Sequence, residues 1–218
     1  MIRPIHWLLD LIYPPKCPIC GKLLAADEPE ACKSCFLDLP INTVAPAAPE
    51  FVAQCAAPFR YEGSLRESLL RYKFGGKQHY ALFYAKYVAA AIEAQDRQID
   101  LVTWVPVSRI RRRERGFDQA QVLARQTAKL LGLPFCRALK KTKNNERQSS
   151  IADPEKRRTN VHGVYKPVKP ERFRGKRVLL IDDIMTTGAT MSECAGTLRI
   201  AGAKTVFGAV AATAKKSG

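Results

Sequence analysis

The run VLLIDDIMTTGATM, residues 178–191, constrains this chain more than any other stretch. Its first four residues, Val178 to Ile181, have the unbroken apolar character of a strand buried on both faces, as in a parallel sheet. Asp182 and Asp183 follow, then Ile184, Met185, Thr186, Thr187, Gly188, Ala189 and Thr190. Met191, Cys194, Ala195 and Leu198 then recur at helical spacing, which predicts a helix over 189–200 closed by Gly202. Ligands of open parallel sheets collect beyond the carboxyl ends of the strands. A loop there that opens a helix offers backbone N–H groups and the positive end of the helix dipole, which suits a phosphate. Thr186, Thr187 and Thr190 add hydroxyls, and Gly188 lets the backbone come close. A phosphate repels the two carboxylates, whose natural partners are the vicinal hydroxyls of a ribose. The residues therefore predict a ribose 5-phosphate site. Simple helix capping by Thr186 or Thr187 is the plainer reading; the strand before the loop and the amphipathic helix after it favour the ligand.

Charge points the same way. Residues 101–177 hold 21 lysines and arginines against 6 acids, so nearly all of the net +16 sits in 77 residues that end where the central run begins. Solvated charged faces usually mix signs, so this one-sided segment predicts an anionic partner, either pyrophosphate groups or nucleic acid.

At the other end, Cys17, Cys20, Cys32 and Cys35 form two C-x-x-C pairs eleven residues apart. Four thiolates in paired knuckles suit a tetrahedral, structural Zn²⁺ with no open position for chemistry. The segment between them is too poor in apolar residues to fold alone, so metal binding would supply the folding energy. Two disulfides or a redox dithiol are the alternatives; an intracellular chain argues against the first, and no strand–helix context flags the second. Residues 1–16 have the spacing of a short amphipathic helix (Trp7, Leu8, Leu11, Ile12) ended by Pro14 and Pro15, a packing arm or a weak membrane-surface or partner helix. No stretch approaches the roughly 20 apolar residues of a membrane span, and no secretory signal is present, so the expected location is the cytoplasm, with the inner-membrane surface as a place of association.

Between these ends, residues 41–58 are rich in Ala and Pro and suggest a linker, dividing a zinc module (1–45) from a larger domain (55–218). A short strand is expected at 59–62, helices at 65–72 and 80–94, and a turn at KFGGK (73–77), which lacks the spacing of a nucleotide-binding P-loop. From residue 101 strands and helices alternate: a strand at 101–107, a helix at 119–131, short strands at 133–139 and 164–168, and a last strand at 204–212. This alternation implies an α/β fold with a mostly parallel sheet flanked by helices. Residues 140–160 are long, polar and basic. His6, His79 and His162 are expected to be surface or packing residues, and Cys55, Cys136 and Cys194 packing thiols.

The central run resembles the signature of type I phosphoribosyltransferases, which bind 5-phosphoribosyl 1-pyrophosphate (PRPP). The remainder resembles one branch of that superfamily, the ComF (GntX-like) proteins, which join an N-terminal zinc ribbon to a phosphoribosyltransferase domain. LLDLIYPPKCPIC, RYEGSLRESLLRYKF, VPVSRIRRRERGFDQAQVLA and Gln148 with RTNVHGVY carry the likeness, which runs almost the whole length. Asp118 stands where the family usually has Asn, and Tyr165 where it usually has Phe.

The resemblance assigns Asp182 and Asp183 to the ribose hydroxyls and residues 186–190 to the 5′-phosphate. It makes Val107, Ser108 and Arg109 a pyrophosphate loop, followed by the basic run Arg109, Arg111, Arg112, Arg113 and Arg115. Residues 140–160, with Arg158 and Asn160, become the flexible loop that closes over PRPP. It implies a Mg²⁺-dependent displacement of pyrophosphate from C1 of PRPP by a nitrogen nucleophile, in which the protein positions the ribose, neutralises the leaving group and excludes water. No general base stands out. It also implies a link to competence and DNA uptake, with other uptake proteins as partners. A non-catalytic protein that binds single-stranded DNA through the basic segment, with Phe117, Tyr165 and Phe173 for stacking, is the alternative; a PRPP-sensing regulator is a third.

Overall fold

The computed structural model describes residues 14–25, 27–28, 30–142 and 163–214; the predicted N-terminal helix up to residue 13, Arg158, Asn160, Gln148 and His162 lie outside them. The chain runs α1 (Lys33–Leu37), β1 (Cys55–Ala56), β2 (Phe59–Arg60), α2 (Gly63–Phe74), α3 (Tyr80–Glu93), β3 (Leu101–Trp104), α4 (Arg109–Arg115), α5 (Gln119–Leu130), β4 (Leu139–Lys141), β5 (Tyr165–Pro167), β6 (Arg177–Met185), α6 (Ala189–Ile200) and β7 (Thr205–Thr213).

The main sheet is parallel throughout, in the order β1–β7–β6–β3, with β2 continuing beside β7 beyond β1. The buried runs expected at 101, 178 and 204 supply its centre. Alternating side chains divide between two cores. Val102, Leu179, Ile181 and Ala209 face α2, α3 and α5, while Leu101, Val178, Leu180 and Val210 face α6 and the β4–β5 hairpin. The helix predicted at 189–200 is α6 to the residue. β6 is longer than its apolar run: it carries on through the acid pair to Met185, because β7 keeps pairing with it as far as Thr213.

Around the main sheet the structure differs from, or adds to, the expected elements in three places. Residues 133–139 do not form a strand; only Phe135 bridges to Val102, and the chain then enters β4. β4 and β5 pair antiparallel outside the main sheet, and the first residues of the basic stretch 140–160 belong to β4. The Arg109–Arg115 run is a helix capped by Ser108, whose side chain accepts from the Arg111 N–H, and Gly116 ends it.

Residues 41–58 are not a linker. Val52, Cys55, Ala56 and Ala57 are buried, and Asn42 donates to the carbonyls of Ala57 and Phe59. The segment crosses β7 and α6 as a strap whose Pro49, Phe51, Val52 and Cys55 side chains pack over Gly188, Gly196 and Gly208. Nor is the zinc module detached. Cys17 and Ile19 belong to the α2–α3 core. Ser68 donates to the Pro18 carbonyl, leaving the Tyr84 hydroxyl to donate to Ser68, and Arg71 donates to the Ile19 carbonyl.

At Gly208 in β7, a Cβ would come within 2.6 Å of Met191 Sδ, 3.1 Å of Val52 Cγ1 and 3.3 Å of Cys55 Sγ. Gly208→Val is therefore expected to lower stability by about 1–3 kcal/mol through overpacking. An unchanged urea midpoint would mean that the strap does not seat against β7 in solution.

Candidate functional site

β6 delivers the acid pair and the loop to the carboxyl end of the sheet, between β7 and β3. Residues 186–188 turn the chain and α6 begins at Ala189, with Gly188 as its N-cap in the left-handed region, φ 78°. Two constraints fix glycine there: the φ value, and the strap, because a Cβ would lie 2.8 Å from Pro49 Cγ. Thr186, Thr187, Ala189 and Thr190 are exposed around the buried Gly188. Asp182 and residues 184–191 line a small polar pocket. A twelve-residue helix opening onto such a loop directs its first N–H groups into that pocket, as a phosphate site requires.

The two carboxylates are not equivalent. Extended backbone sends neighbours to opposite faces of the sheet. Asp183 turns to the α2–α5 face, where it is buried; its Oδ1 accepts the Ile184 N–H at 2.7 Å and meets Lys73 Nζ at 3.1 Å. Asp182 turns to the α6 face, with Oδ1 accepting the Asp183 N–H at 2.8 Å. Burial first, and the Asp183 charge second, push the Asp182 carboxyl up to about 8. Lys141, Tyr165 and Cys194 feel the Asp182 charge from the hairpin and α6. Lys141 lies over the Tyr165 ring at 5.4 Å; burial and Arg111 lower its pKa.

The expected pyrophosphate loop follows β3 and is held from below. Asp118, buried at the N-cap of α5, accepts the Val107 N–H (3.2 Å), the Trp104 indole N–H (3.2 Å) and the Gln121 N–H (3.1 Å). Burial raises its pKa. The departure from Asn thus puts a pure acceptor where three N–H groups converge. Ser108 is buried, Val107 half-buried and Arg109 exposed. Arg109, Arg112 and Arg113 line an open groove beside Gly116, and among the described residues none of the five arginines of α4 forms an ion pair. Arg115 donates to Gln119 Oε1 at 3.0 Å and covers the Phe74 ring at 4.9 Å.

Lys73 and Pro49 are site neighbours that sequence reasoning missed, whereas Lys141 stands at the start of the basic stretch 140–160 expected beside the site. The glycines of KFGGK marked a turn, but no local pattern says that this turn returns to residue 183. Tyr72 and Tyr84, Phe117 and Phe173 are packed in the core, so of the aromatics considered for base stacking only Tyr165 lies beside the site, itself buried.

The sulfurs of Cys17, Cys20, Cys32 and Cys35 all lie within 4.8 Å of one another, with Cys20 and Cys32 3.7 Å apart. A tetrahedral zinc with Zn–S bonds near 2.3 Å sets its ligands roughly 3.8 Å apart, so the quartet fits the ion. No disulfide joins these residues. Cys55 and Cys194 are buried and Cys136 is half-buried, apart from the quartet.

Comparison with known proteins agrees with both halves. Residues 118–218 match the phosphoribosyl transferase domain family, and residues 8–68 match the double zinc ribbon domain family. Competence protein ComFC of Bacillus subtilis is 27% identical over 177 residues, 80% of this chain and 68% of that one. Competence protein ComFC of Streptococcus pneumoniae is 32% identical over 152 residues, 69% of this chain and 64% of that one. Competence protein F of Haemophilus influenzae is 29% identical over 103 residues, 47% of this chain and 45% of that one. The chain thus spans between about half and two thirds of the length of these relatives.

The raised Asp182 carboxyl predicts a pH-dependent stability. In the unfolded chain it ionises near pH ~4. The fold favours its neutral form, so the stability this contributes is complete below about pH 4 and is lost as pH rises toward about 8. Asp182→Asn, which fixes the neutral state, should melt above the parent at pH 8.5, by roughly 2–4 °C per kcal/mol relieved, and level with it near pH 4. A variant less stable than the parent at high pH would show that the fold favours the ionised carboxylate instead.

Proposed function

The chain belongs to the ComF family, and from that premise we propose that it binds PRPP with Mg²⁺ and transfers the phosphoribosyl group to a nitrogen nucleophile, releasing pyrophosphate. The observation that carries this reading is the loop 186–190 at the joint of β6 and α6, with an acid pair immediately before it. The 5′-phosphate takes the N–H groups of residues 187–190 and the threonine hydroxyls. Asp182 and Asp183 accept ribose hydroxyls, and ionised carboxylates make such bonds short and strong. Val107 and Ser108 present backbone to the pyrophosphate, and the arginines of α4 supply positive charge beside it. Mg²⁺, bound with the substrate, neutralises the departing pyrophosphate. No side chain acts as a nucleophile: the protein holds the ribose and stabilises separating charge. The basic stretch between β4 and β5, including Arg158 and Asn160, is the segment we assign to closing over the substrate.

A second reading has its own support. Three exposed arginines on one short helix, without ion-pair partners among the described residues, suit a phosphate backbone, and the relatives bear the name competence protein. In this reading the chain handles single-stranded DNA during uptake alongside other uptake proteins, at the cytoplasmic membrane surface. No described helix is long and apolar enough to cross a membrane.

Calorimetric titration of Mg²⁺·PRPP into the zinc-loaded protein should give heat that vanishes in Asp182→Ala/Asp183→Ala. A folded parent that gives none overturns the transferase reading; steeply salt-dependent binding of single-stranded DNA in its place would favour the second. Heat without turnover across a panel of nitrogen acceptors would leave a PRPP-sensing regulator.

We also assign one structural zinc to the cysteine quartet, in keeping with its geometry and the zinc-ribbon match. Elemental analysis should find one zinc per chain, and Cys32→Ser should lose it together with the protease resistance of residues 14–40. A protein that is folded and zinc-free after purification would refute the assignment.

A further inference from the structure

Lys73 stands on the last turn of α2, outside both the phosphate loop and the basic segment. Its Nζ lies 3.1 Å from Asp183 Oδ1, and the side chains are 19% and 11% exposed, the most enclosed ion pair among the described residues. A lysine on a last helical turn ordinarily serves its own helix's terminal carbonyls or water; this one reaches inward to the strand that carries the acid pair. Its backbone is pinned as well. Gln119 Nε2 donates to the Lys73 carbonyl at 3.1 Å, and the Tyr72 hydroxyl donates to the Gln119 carbonyl at 2.7 Å. Arg115 holds the same Gln119 through Oε1.

Stability does not account for the arrangement. An enclosed ion pair roughly breaks even, because desolvation of both ions offsets their attraction. Charge does account for it. Three carboxylates converge at the carboxyl end of the sheet: Asp183, Asp182 beside it, and Asp118 at the start of α5, which repels both. Tyr72 of α2 also faces Asp183. From the other face Lys141 of β4, Tyr165 of β5 and Cys194 of α6 surround Asp182, with Glu193 near the same groups.

We infer that Lys73 is a positioning residue of the ribose site, holding the Asp183 carboxylate in one orientation and offsetting the charge of the acid pair so that it can accept ribose hydroxyls while ionised. The inference rests on the ribose-phosphate reading above. It is consistent with the balance on Asp182, where burial and Asp183 push the carboxyl up and Lys73 pulls it down.

The test uses Lys73→Met and Lys73→Arg in the full zinc-loaded chain, each checked for a parent-like melting curve. The first measurement needs no PRPP. With ¹³C-carboxyl aspartate and the Asp182 signal assigned through Asp182→Asn, the Asp182 midpoint should rise by about one pH unit in Lys73→Met, a tenfold change in its protonation equilibrium. It should stay near the parent value in Lys73→Arg. The second is calorimetric Mg²⁺·PRPP affinity from pH 6.5 to 9.5: about tenfold weaker in Lys73→Met at pH 7, with the gap narrowing as pH rises, and near the parent in Lys73→Arg. An unmoved Asp182 midpoint in folded Lys73→Met overturns the inference. So does a loss of affinity that is equal at every pH, which is what a merely structural staple would give. If the parent yields no PRPP heat at any pH, the transferase reading falls, while the carboxyl titration still decides whether Lys73 offsets the pair.

Discussion

β6 lies inside the sheet, flanked by β7 along its length and by β3 along its apolar run, and the rest of the molecule is arranged around that constraint. A strand buried on both faces cannot carry charge along its length, because each uncompensated ion would cost several kcal/mol of solvation. Its first tolerable place for a carboxylate is the carboxyl end, where the sheet opens. Asp182 and Asp183 occupy that place, past the last residue of β6 that pairs with β3 and where β7 still flanks the strand. The same end launches α6, so acid pair and helix N-terminus lie within a few residues of each other. Strand burial and helix polarity together thus bring carboxylates and free backbone N–H groups to one place, before any particular chemistry is invoked.

The loop that joins them is supported from a distant part of the sequence. The strap over residues 41–58 places Pro49 against Gly188 and Phe51 against Gly196, and Val52 and Cys55 against Gly208. Each glycine on α6, β7 or the loop is matched by a side chain of the strap, so the missing Cβ atoms are filled by packing. Such contacts gain dispersion energy only while both surfaces are rigid. The zinc module reaches the other face of the sheet in the same manner, through Ile19 and the buried Ser68–Pro18 hydrogen bond. Metal-held and apolar parts therefore share one core.

What the sequence discloses and what it hides divide along physical lines. Strands β3, β6 and β7 were legible as short apolar runs and helices α5 and α6 by the helical period of a buried face, and both signals are local properties. The cysteine quartet was legible because metal sites need particular residue types at short spacing, and the turn after β6 because an apolar run, a glycine and a helical period follow one another there. The strap was misread as a linker because Ala and Pro signal a loop when nothing is known of their neighbours; Ala56 and Ala57 are buried only because β7 and the helices close over them. Lys73 was hidden for the same reason. Its ion pair joins residues 110 positions apart, and no spacing rule reaches so far. The helix at Arg109–Arg115 was hidden by its charge, since an arginine run has no apolar period to display even where its helical propensity is good.

The cations of the site fall into two populations, and their surroundings give them different work. Arg109, Arg112 and Arg113 are exposed. Their field extends into solvent, is screened over about 8 Å at physiological salt, and acts chiefly on the arrival of an anion. Lys73 and Lys141 are largely enclosed, one on each face of the strand that bears the acid pair. Screening reaches them weakly, so their influence on Asp183 and Asp182 persists when the arginines have been silenced by salt. Raising ionic strength thus removes attraction without removing the arrangement of the acid pair. Exposed arginines alone could gather phosphate, but the charges that bear directly on the acid pair come from the enclosed lysines, with Lys73 against Asp183 and Lys141 near Asp182.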